Sequence, residues 1–178
     1  METSDEDMAR AAQDGDRDAF AGLLARHYDR LFVLTFRLTG SRADAEDLTQ
    51  DICLALPRKL SGYRGDARFS TWLYRVAVNA AHDWRRRDAS RSKAADGWGT
   101  WETGRRAAEA EAAADHAWLR TAMAALPEDL RETLALTLDD GMSHSDAAEI
   151  LGVSEGTVSW RMSEVRKRLR ALAAEDAG

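Results

Sequence analysis

Three stretches of this chain combine residue types and spacings that could do chemistry, and all three suit binding better than catalysis. The last runs from Ser145 through Ala148, Gly152, Val153 and Ser154 to Val158 and on to Arg170. A small residue where two helices cross, a glycine in the turn and apolar residues behind it are what a helix-turn-helix needs. Val158, Met162, Val165 and Leu169 then share one face. At about 100° per residue, Trp160, Ser163, Glu164 and Lys167 face away, flanked by Ser159 and Arg166. Those side chains can reach base edges and phosphates, and the basic tail from Arg166 to Arg170 favours the DNA backbone.

The middle stretch, from Thr71 to Arg87, interleaves Trp72, Tyr74 and Trp84 with Arg75, Arg85, Arg86 and Arg87. Aromatics beside bases suit stacking on unpaired nucleotides next to a phosphate-binding strip. The competing reading puts the tryptophans in a core and the arginines in water. The first stretch is acidic: Asp47, Gln50 and Asp51 are three and four apart, so they share one helix face. Spacing alone makes that face no more than a solvated surface.

Catalytic groupings are absent. Ser143, His144, Ser145 and Asp146 are adjacent at a helix start and do not converge as a triad must, and capping accounts for the serines. The histidines, at 27, 82, 116 and 144, are too scattered to form a zinc site with Cys53. No phosphate-cradling loop or dinucleotide fingerprint occurs. The chain is expected to be no enzyme and to use no metal or cofactor.

These stretches need helices to position them. The chain of 178 residues has only two prolines, Pro57 and Pro127, and is rich in Ala, Leu, Arg, Glu and Asp. That mixture predicts an all-α protein: two small helical domains joined by a flexible linker, the second carrying the helix-turn-helix. Apolar periodicity predicts helices over 18–39, 42–60 and 69–87, with Gly40 ending the first, Ser41 capping the second, Pro57 kinking or ending it, and a cap at or near Ser70. The period dissolves between Asp88 and Ala108, where Gly97, Trp98, Gly99, Trp101 and Gly104 read as a linker. Further helices are predicted from about Ala113 with Trp118, from Pro127, over 146–151 behind Ser143 or Ser145, and from Ser154 to about Ala173. The domain boundaries are 1–90, 91–112 and 113–178.

The net charge of −6 argues, taken alone, against nucleic-acid binding. Its distribution reverses that. Residues 1–51 hold twelve acids against six arginines, a net of −6; residues 64–93 hold eight bases against three acids, a net of +5; residues 154–172 hold five bases against two acids, a net of +3. One acidic and two basic segments suit one protein partner and two nucleic-acid contacts. The lone Cys53 fits a reducing compartment, and neither a signal peptide nor an apolar run long enough for a bilayer is visible, so a cytoplasmic location without membrane insertion is expected.

Four segments occur in order: AEDLTQD (45–51), YRGDARFSTWLYRVAVN (63–79), LPEDLRETLAL (126–136) and GVSEGTV (152–158). On these the chain resembles a bacterial RNA polymerase sigma factor of the extracytoplasmic-function type, over residues 16–90 and 113–172. The resemblance implies that Asp47, Leu48, Gln50 and Asp51 bind the clamp helices of the polymerase's largest subunit. It implies that Arg64, Tyr74, Arg75 and Asn79, with Arg85 and Arg86, read and open the minus-ten element, the loop around Gly62–Arg68 holding a flipped base. It implies that the C-terminal unit reads the minus-thirty-five element through Thr157, Ser159, Trp160, Arg161, Ser163, Glu164, Arg166 and Lys167, and touches the flap of the other large subunit. An anti-sigma factor is the further partner implied. The chain departs from the family's pattern at Ser159, Trp160 and Glu164; a glutamate accepts from cytosine but repels phosphate, so an atypical upstream sequence is expected. Two rivals stand beside this reading: a stand-alone helix-turn-helix regulator, and a sigma mimic that sequesters an anti-sigma factor without touching DNA.

Overall fold

The computed structural model of the chain describes residues 3–95, 121–138 and 142–176, and every regular element among them is helical. In the N-terminal part these are α1 (Asp5–Gln13), α2 (Arg17–Thr39), α3 (Arg42–Leu60) and α4 (Phe69–Ala95). After a helical turn over 121–125 come α5 (Glu128–Thr137), α6 (His144–Leu151) and α7 (Glu155–Asp176).

The long amphipathic helices pack as their periods predict. Leu23, Leu31, Leu34 and Leu38 of α2 meet Leu48, Ile52, Leu56 and Leu60 of α3 and Leu73 and Ala77 of α4 in one buried core. A hydroxyl pair inside it, Thr35 Oγ1 to Thr49 Oγ1 at 2.7 Å, ties α2 to α3 without leaving a buried polar group unmatched. Gly40 ends α2 at φ +74, and the Ser41 hydroxyl accepts from the Asp44 amide to start α3. Pro57 does not end the element: α3 runs through it to Leu60.

Three further features differ from the sequence expectation. The first is α1, for which no element was expected. Ser4 caps it by accepting from the Asp7 amide, and Asp5, Glu6 and Asp7 place negative charge in its first turn. An acidic segment with few apolar residues hid that signal. The second is the cap of α4. Instead of Ser70, Glu6 of α1 accepts the Phe69 amide at 3.3 Å, a contact across the fold that local sequence does not announce. The third is the end of α4, which continues past Arg87 to Ala95. Apolar periodicity stops at Arg87 because the helix runs out of core, and helix-breaking glycines begin only at Gly97. Trp98, Trp101, Trp118, the turn at Asp139–Gly141 and the expected boundary near 113 lie outside the described residues.

In the C-terminal part, Ser143 rather than Ser145 caps α6, in a reciprocal capping box with Asp146. Gly152 ends it in the left-handed region at φ +66, and the Ser154 hydroxyl accepts from the Thr157 amide to start α7. Val158 and Val165 of α7 are fully buried against α5 and α6. This part also packs on the first: α5 lies against α2, and α6 against α4. Arg37 of α2 donates to the carbonyls of Ala135 and Leu138 at 3.2 and 3.4 Å. No described helix is long and apolar enough to cross a membrane.

Candidate nucleic-acid interface

The acidic face is built by α3. Asp47, Gln50 and Asp51 are exposed on it. Leu48 is not: it is 1% exposed, and its place one residue from Asp47 turns it into the core. Its assignment to polymerase contact is therefore corrected to packing. Leu54 is the residue that sequence reasoning missed. It is 75% exposed and lies three residues beyond Asp51, adding an apolar side chain to the same face. Its exposure was the only signal, since a leucine in a helix reads as core.

The loop between α3 and α4 is held from beneath. Tyr63, Phe69 and Trp72 form a cluster with ring centroids 5.4 to 5.7 Å apart, and His27 packs on Phe69 at 5.2 Å. The Gln13 amide donates to the carbonyls of Leu60 and Tyr63 at 2.8 and 2.7 Å, and the Tyr63 hydroxyl donates to the Ala67 carbonyl at 2.8 Å. So α1 positions the loop. Above it opens a cavity of about 290 Å³ between the loop and α4, lined by Arg64, Asp66, Trp72, Arg75 and Asn79 among others. An aromatic wall with cationic and amide groups at the rim is the chemistry that holds an unstacked base beside its phosphate.

Three of the six residues expected at the minus-ten element, Arg64, Arg75 and Asn79, thus share one cavity. Tyr74 does not join them. It is 3% exposed and turns inward beside Arg30, Leu34 and Leu136, because it lies one residue off the Arg75 face. Its expected DNA contact is corrected to packing. Arg86 is exposed and paired with Asp83, whose carboxyl that hydrogen bond holds below its ordinary value.

Arg85 points to the C-terminal part. Its Nη2 donates to Glu128 Oε1 at 2.7 Å and also to Glu132. His82 Nε2 lies 2.6 Å from Glu132 Oε1 and 3.8 Å from Glu128 Oε1. Two turns before His82 on α4, Arg75 Nη2 donates to the Glu149 carbonyl at 2.9 Å and lies 3.6 Å from its carboxylate. Residues some fifty positions apart converge here, which the scatter of histidines along the chain could not show. His82, Glu128 and Glu132 have the donor set of a cation site, but the Arg85 guanidinium already occupies the space between the two carboxylates. Burial, and next the nearby Arg85 charge, lower the pKa of Arg131, which caps the turn at 121–125 by donating to the carbonyls of Met123, Ala124 and Leu126.

On α7, Ser159, Trp160, Ser163, Arg166 and Lys167 are exposed together, with Trp160 60% exposed. Thr157 and Glu164 are half-buried at the edge of that face. The Ser159 hydroxyl is 3.0 Å from His144 Nδ1 of α6. Arg161 turns back: its side chain is 17% exposed and lies 3.4 Å from Asp129 of α5, so it ties α7 to α5 and leaves the DNA-facing set. The helical period explains this, since Arg161 falls between Val158 and Val165 on the inner side.

Residues 23–91 match the family Sigma-70 region 2, and residues 116–169 match Sigma-70, region 4. The chain is 35% identical to the ECF RNA polymerase sigma factor SigM of Mycobacterium tuberculosis, over 96% of this chain and 85% of that protein. It is 31% identical to the ECF RNA polymerase sigma-E factor of Escherichia coli, over 93% of this chain and 92% of that protein. Among solved structures it is similar to CnrH in complex with the cytosolic domain of CnrY, with 28% identity, a TM-score of 0.71, and coverage of 98% of this chain and 99% of that one.

Proposed function

The chain belongs to the extracytoplasmic-function sigma factors of bacterial RNA polymerase, and on that premise we propose how its surfaces share the work. As a sigma factor it is a non-enzymatic initiation factor that binds core polymerase and directs it to promoters. In our reading, Asp47, Gln50 and Asp51 dock on the clamp helices of the largest subunit, with Leu54 as an apolar anchor among the charges. Arg64, Arg75 and Asn79 hold a base flipped from the minus-ten element, and Arg86 with Arg85 tracks the strand beside it. Ser159, Trp160, Ser163, Arg166 and Lys167, edged by Thr157 and Glu164, read the minus-thirty-five element, while the same C-terminal part touches the flap. The units of work are residues 1–90 and 113–178, joined through 91–112, and the place of work is the cytoplasm.

The observation that carries this reading is the cavity between the loop and α4. Unpairing and flipping a base costs a few kcal/mol, and a preformed aromatic and cationic seat offsets that cost. A stand-alone duplex-binding regulator has no use for such a seat, and neither has a mimic that touches no DNA. An anti-sigma factor is the regulatory partner we assign. The groove between α2 and the α5 region suits it: a cavity of about 340 Å³ walled by Phe32, Phe36, Met123 and Leu138, with Arg37 and Arg131 at the rim to favour an acidic amphipathic segment.

The test is promoter-dependent abortive transcription with core polymerase, on the chain's own upstream region and on genomic fragments. Wild-type chain gives product. Asn79→Ala and Arg64→Ala reduce it on duplex promoter and recover part of it on a premelted bubble. Product unchanged by both substitutions would remove the cavity from the mechanism.

A further inference from the structure

The walls of the cavity come from the loop and α4. Its shape depends on a third element, α1, which grips the loop at both ends. At the entrance, the Gln13 side-chain amide donates to the Leu60 and Tyr63 carbonyls at 2.8 and 2.7 Å. The second carbonyl belongs to the planar peptide that joins Tyr63 to Arg64, so this bond fixes the plane from which Arg64 departs. At the exit, Glu6 accepts the Phe69 amide at 3.3 Å, where α4 begins. Glu6 and Gln13 are seven residues apart, which is two turns of helix. They therefore share one face of α1, about 10 Å apart along its axis. We propose that α1 is a splint for base capture, with Gln13 and Glu6 as its positioning residues. They hold the two ends of the loop at the spacing that shapes the seat for the flipped base, and they do so without touching DNA.

The splint is itself fixed to the body. Ala9 of α1 is fully buried, and Met8 lies over Gly22 of α2, where a Cβ would come within 2.7 Å of the Met8 Cε. Asp5 accepts from Arg26 Nη1 at 3.0 Å and lies 2.7 Å from His27 Nε2, which anchors the first turn of α1 to α2. His27 in turn packs on Phe69, so the same turn bears on the aromatic cluster beneath the cavity. The loop has no comparable tie of its own. Among the described residues its other hydrogen bonds stay within it or reach the adjoining helix turns: Tyr63 to Ala67, Arg64 to Asp66, Ser61 to Arg58. Those bonds set local shape. Only the bonds from α1 tie that shape to the rest of the fold.

A loop released at one end samples arrangements in which the seat is not formed, and apparent affinity falls by the fraction that remains competent. Two ordinary hydrogen bonds together shift such an equilibrium by at most about thirtyfold, and bonds from an exposed side chain by less. Gln13 is exposed, so the expected loss is about three- to tenfold.

This role rests on the cavity taking the base, and the experiment separates the two. Full chain bound to core polymerase selects from a pool of forked DNA duplexes whose single-stranded arm is randomised, and base preference is read at each position. Amide exchange over residues 61–69 of the free chain, followed by mass spectrometry, reports the hold on the loop. Gln13→Glu keeps the size of the side chain and removes both donors; Gln13→Ala removes the side chain. Ser41→Ala deletes the cap at the opposite end of α3 and controls for general destabilisation. Wild type should prefer one base sharply. Both Gln13 variants should weaken that preference about three- to tenfold and speed exchange over the loop, with affinity for core polymerase and for upstream duplex unchanged. Glu6→Ala should act in the same direction, and Ser41→Ala should keep the preference. In an Arg64→Ala background Gln13→Ala should add little, because the residue it positions is gone. Faster exchange with undiminished preference would make Gln13 a packing residue and overturn the proposal. An equal loss in Ser41→Ala, or a full additive loss in the Arg64→Ala background, would overturn it too. If Arg64→Ala and Asn79→Ala flatten the preference while the Gln13 variants do not, the splint alone fails. If wild type shows no preference, or none of these substitutions alters it, the cavity reading fails and the splint with it.

Discussion

Leu48 and Asp51 sit one turn apart on α3, and the structure buries the first and exposes the second. Leu48 is 1% exposed in the core beside α2 and α4. Truncating a leucine so enclosed typically costs 2–5 kcal/mol, so Leu48→Ala should cost about 3 kcal/mol. For a chain of this size that corresponds to a midpoint lowered by about 6–12 °C. Asp51 is exposed, so Asp51→Arg should change stability by less than about 0.5 kcal/mol. The functional effects should be reversed. At a temperature well below both midpoints, Leu48→Ala should bind core polymerase within about threefold of wild type. Asp51→Arg, which replaces an attraction by a repulsion, should lose at least tenfold, about 1.4 kcal/mol. Thermal unfolding followed by circular dichroism and a polymerase pull-down titration measure the two quantities on the same samples. Binding of an upstream duplex through α7 should be unchanged in Asp51→Arg. A Leu48→Ala chain that melts like wild type but no longer binds polymerase would refute the burial argument and return Leu48 to the interface.

Glu164→Arg should change which upstream sequences the chain selects, measured by selection from a random duplex pool; an unchanged profile would place Glu164 away from the bases. Ser143→Ala removes the hydroxyl that accepts the Asp146 amide and should cost about 1 kcal/mol in urea unfolding, with upstream duplex affinity falling as α6 frays; no loss in either would show the capping box to be idle. Acid should loosen α1. Burial pushes the Asp5 carboxyl up, but the hydrogen bonds and charges of Arg26 and His27 outweigh it and hold it below its ordinary 3.8. A depressed carboxylate contributes stability that is present above the unfolded value and lost as pH falls through the folded one. Urea midpoints of wild type and Asp5→Asn should therefore differ at pH 7 and converge below about pH 4; parallel curves would exclude this contribution.

Where sequence and structure agree, the signal was local. Ser41, Ser154 and Gly152 sit where caps and a turn demand them, and the 158, 162, 165, 169 spacing sets the inner face of α7. The errors share a cause: a one-residue step on a helix turns a side chain by about 100°. Leu48, Tyr74 and Arg161 lie inside stretches whose neighbours are candidate binding residues, yet that rotation buries the first two and turns the third onto Asp129. Reading a segment as a unit misses this, and periodicity applied residue by residue would have caught Leu48. What no local rule could find is the seat made from α4, α5 and α6. Glu6 at the start of α4, Glu149 on Arg75 and Glu132 on Arg85 all act across 43 or more positions of chain.

The acidity of the chain takes on a different meaning once those long-range pairs are known. A net charge of −6 is, as a sum, a handicap for a protein that holds DNA. Yet the acids are placed: Asp47 and Asp51 of α3 face outward, while Glu128, Glu132 and Glu149 pair with bases of α4. Phosphate affinity grows with the number of bases free to displace counterions, so these pairs should make the salt dependence of DNA binding shallower than the count of bases suggests. Binding to DNA is then governed by the placement of charge and not by its sum.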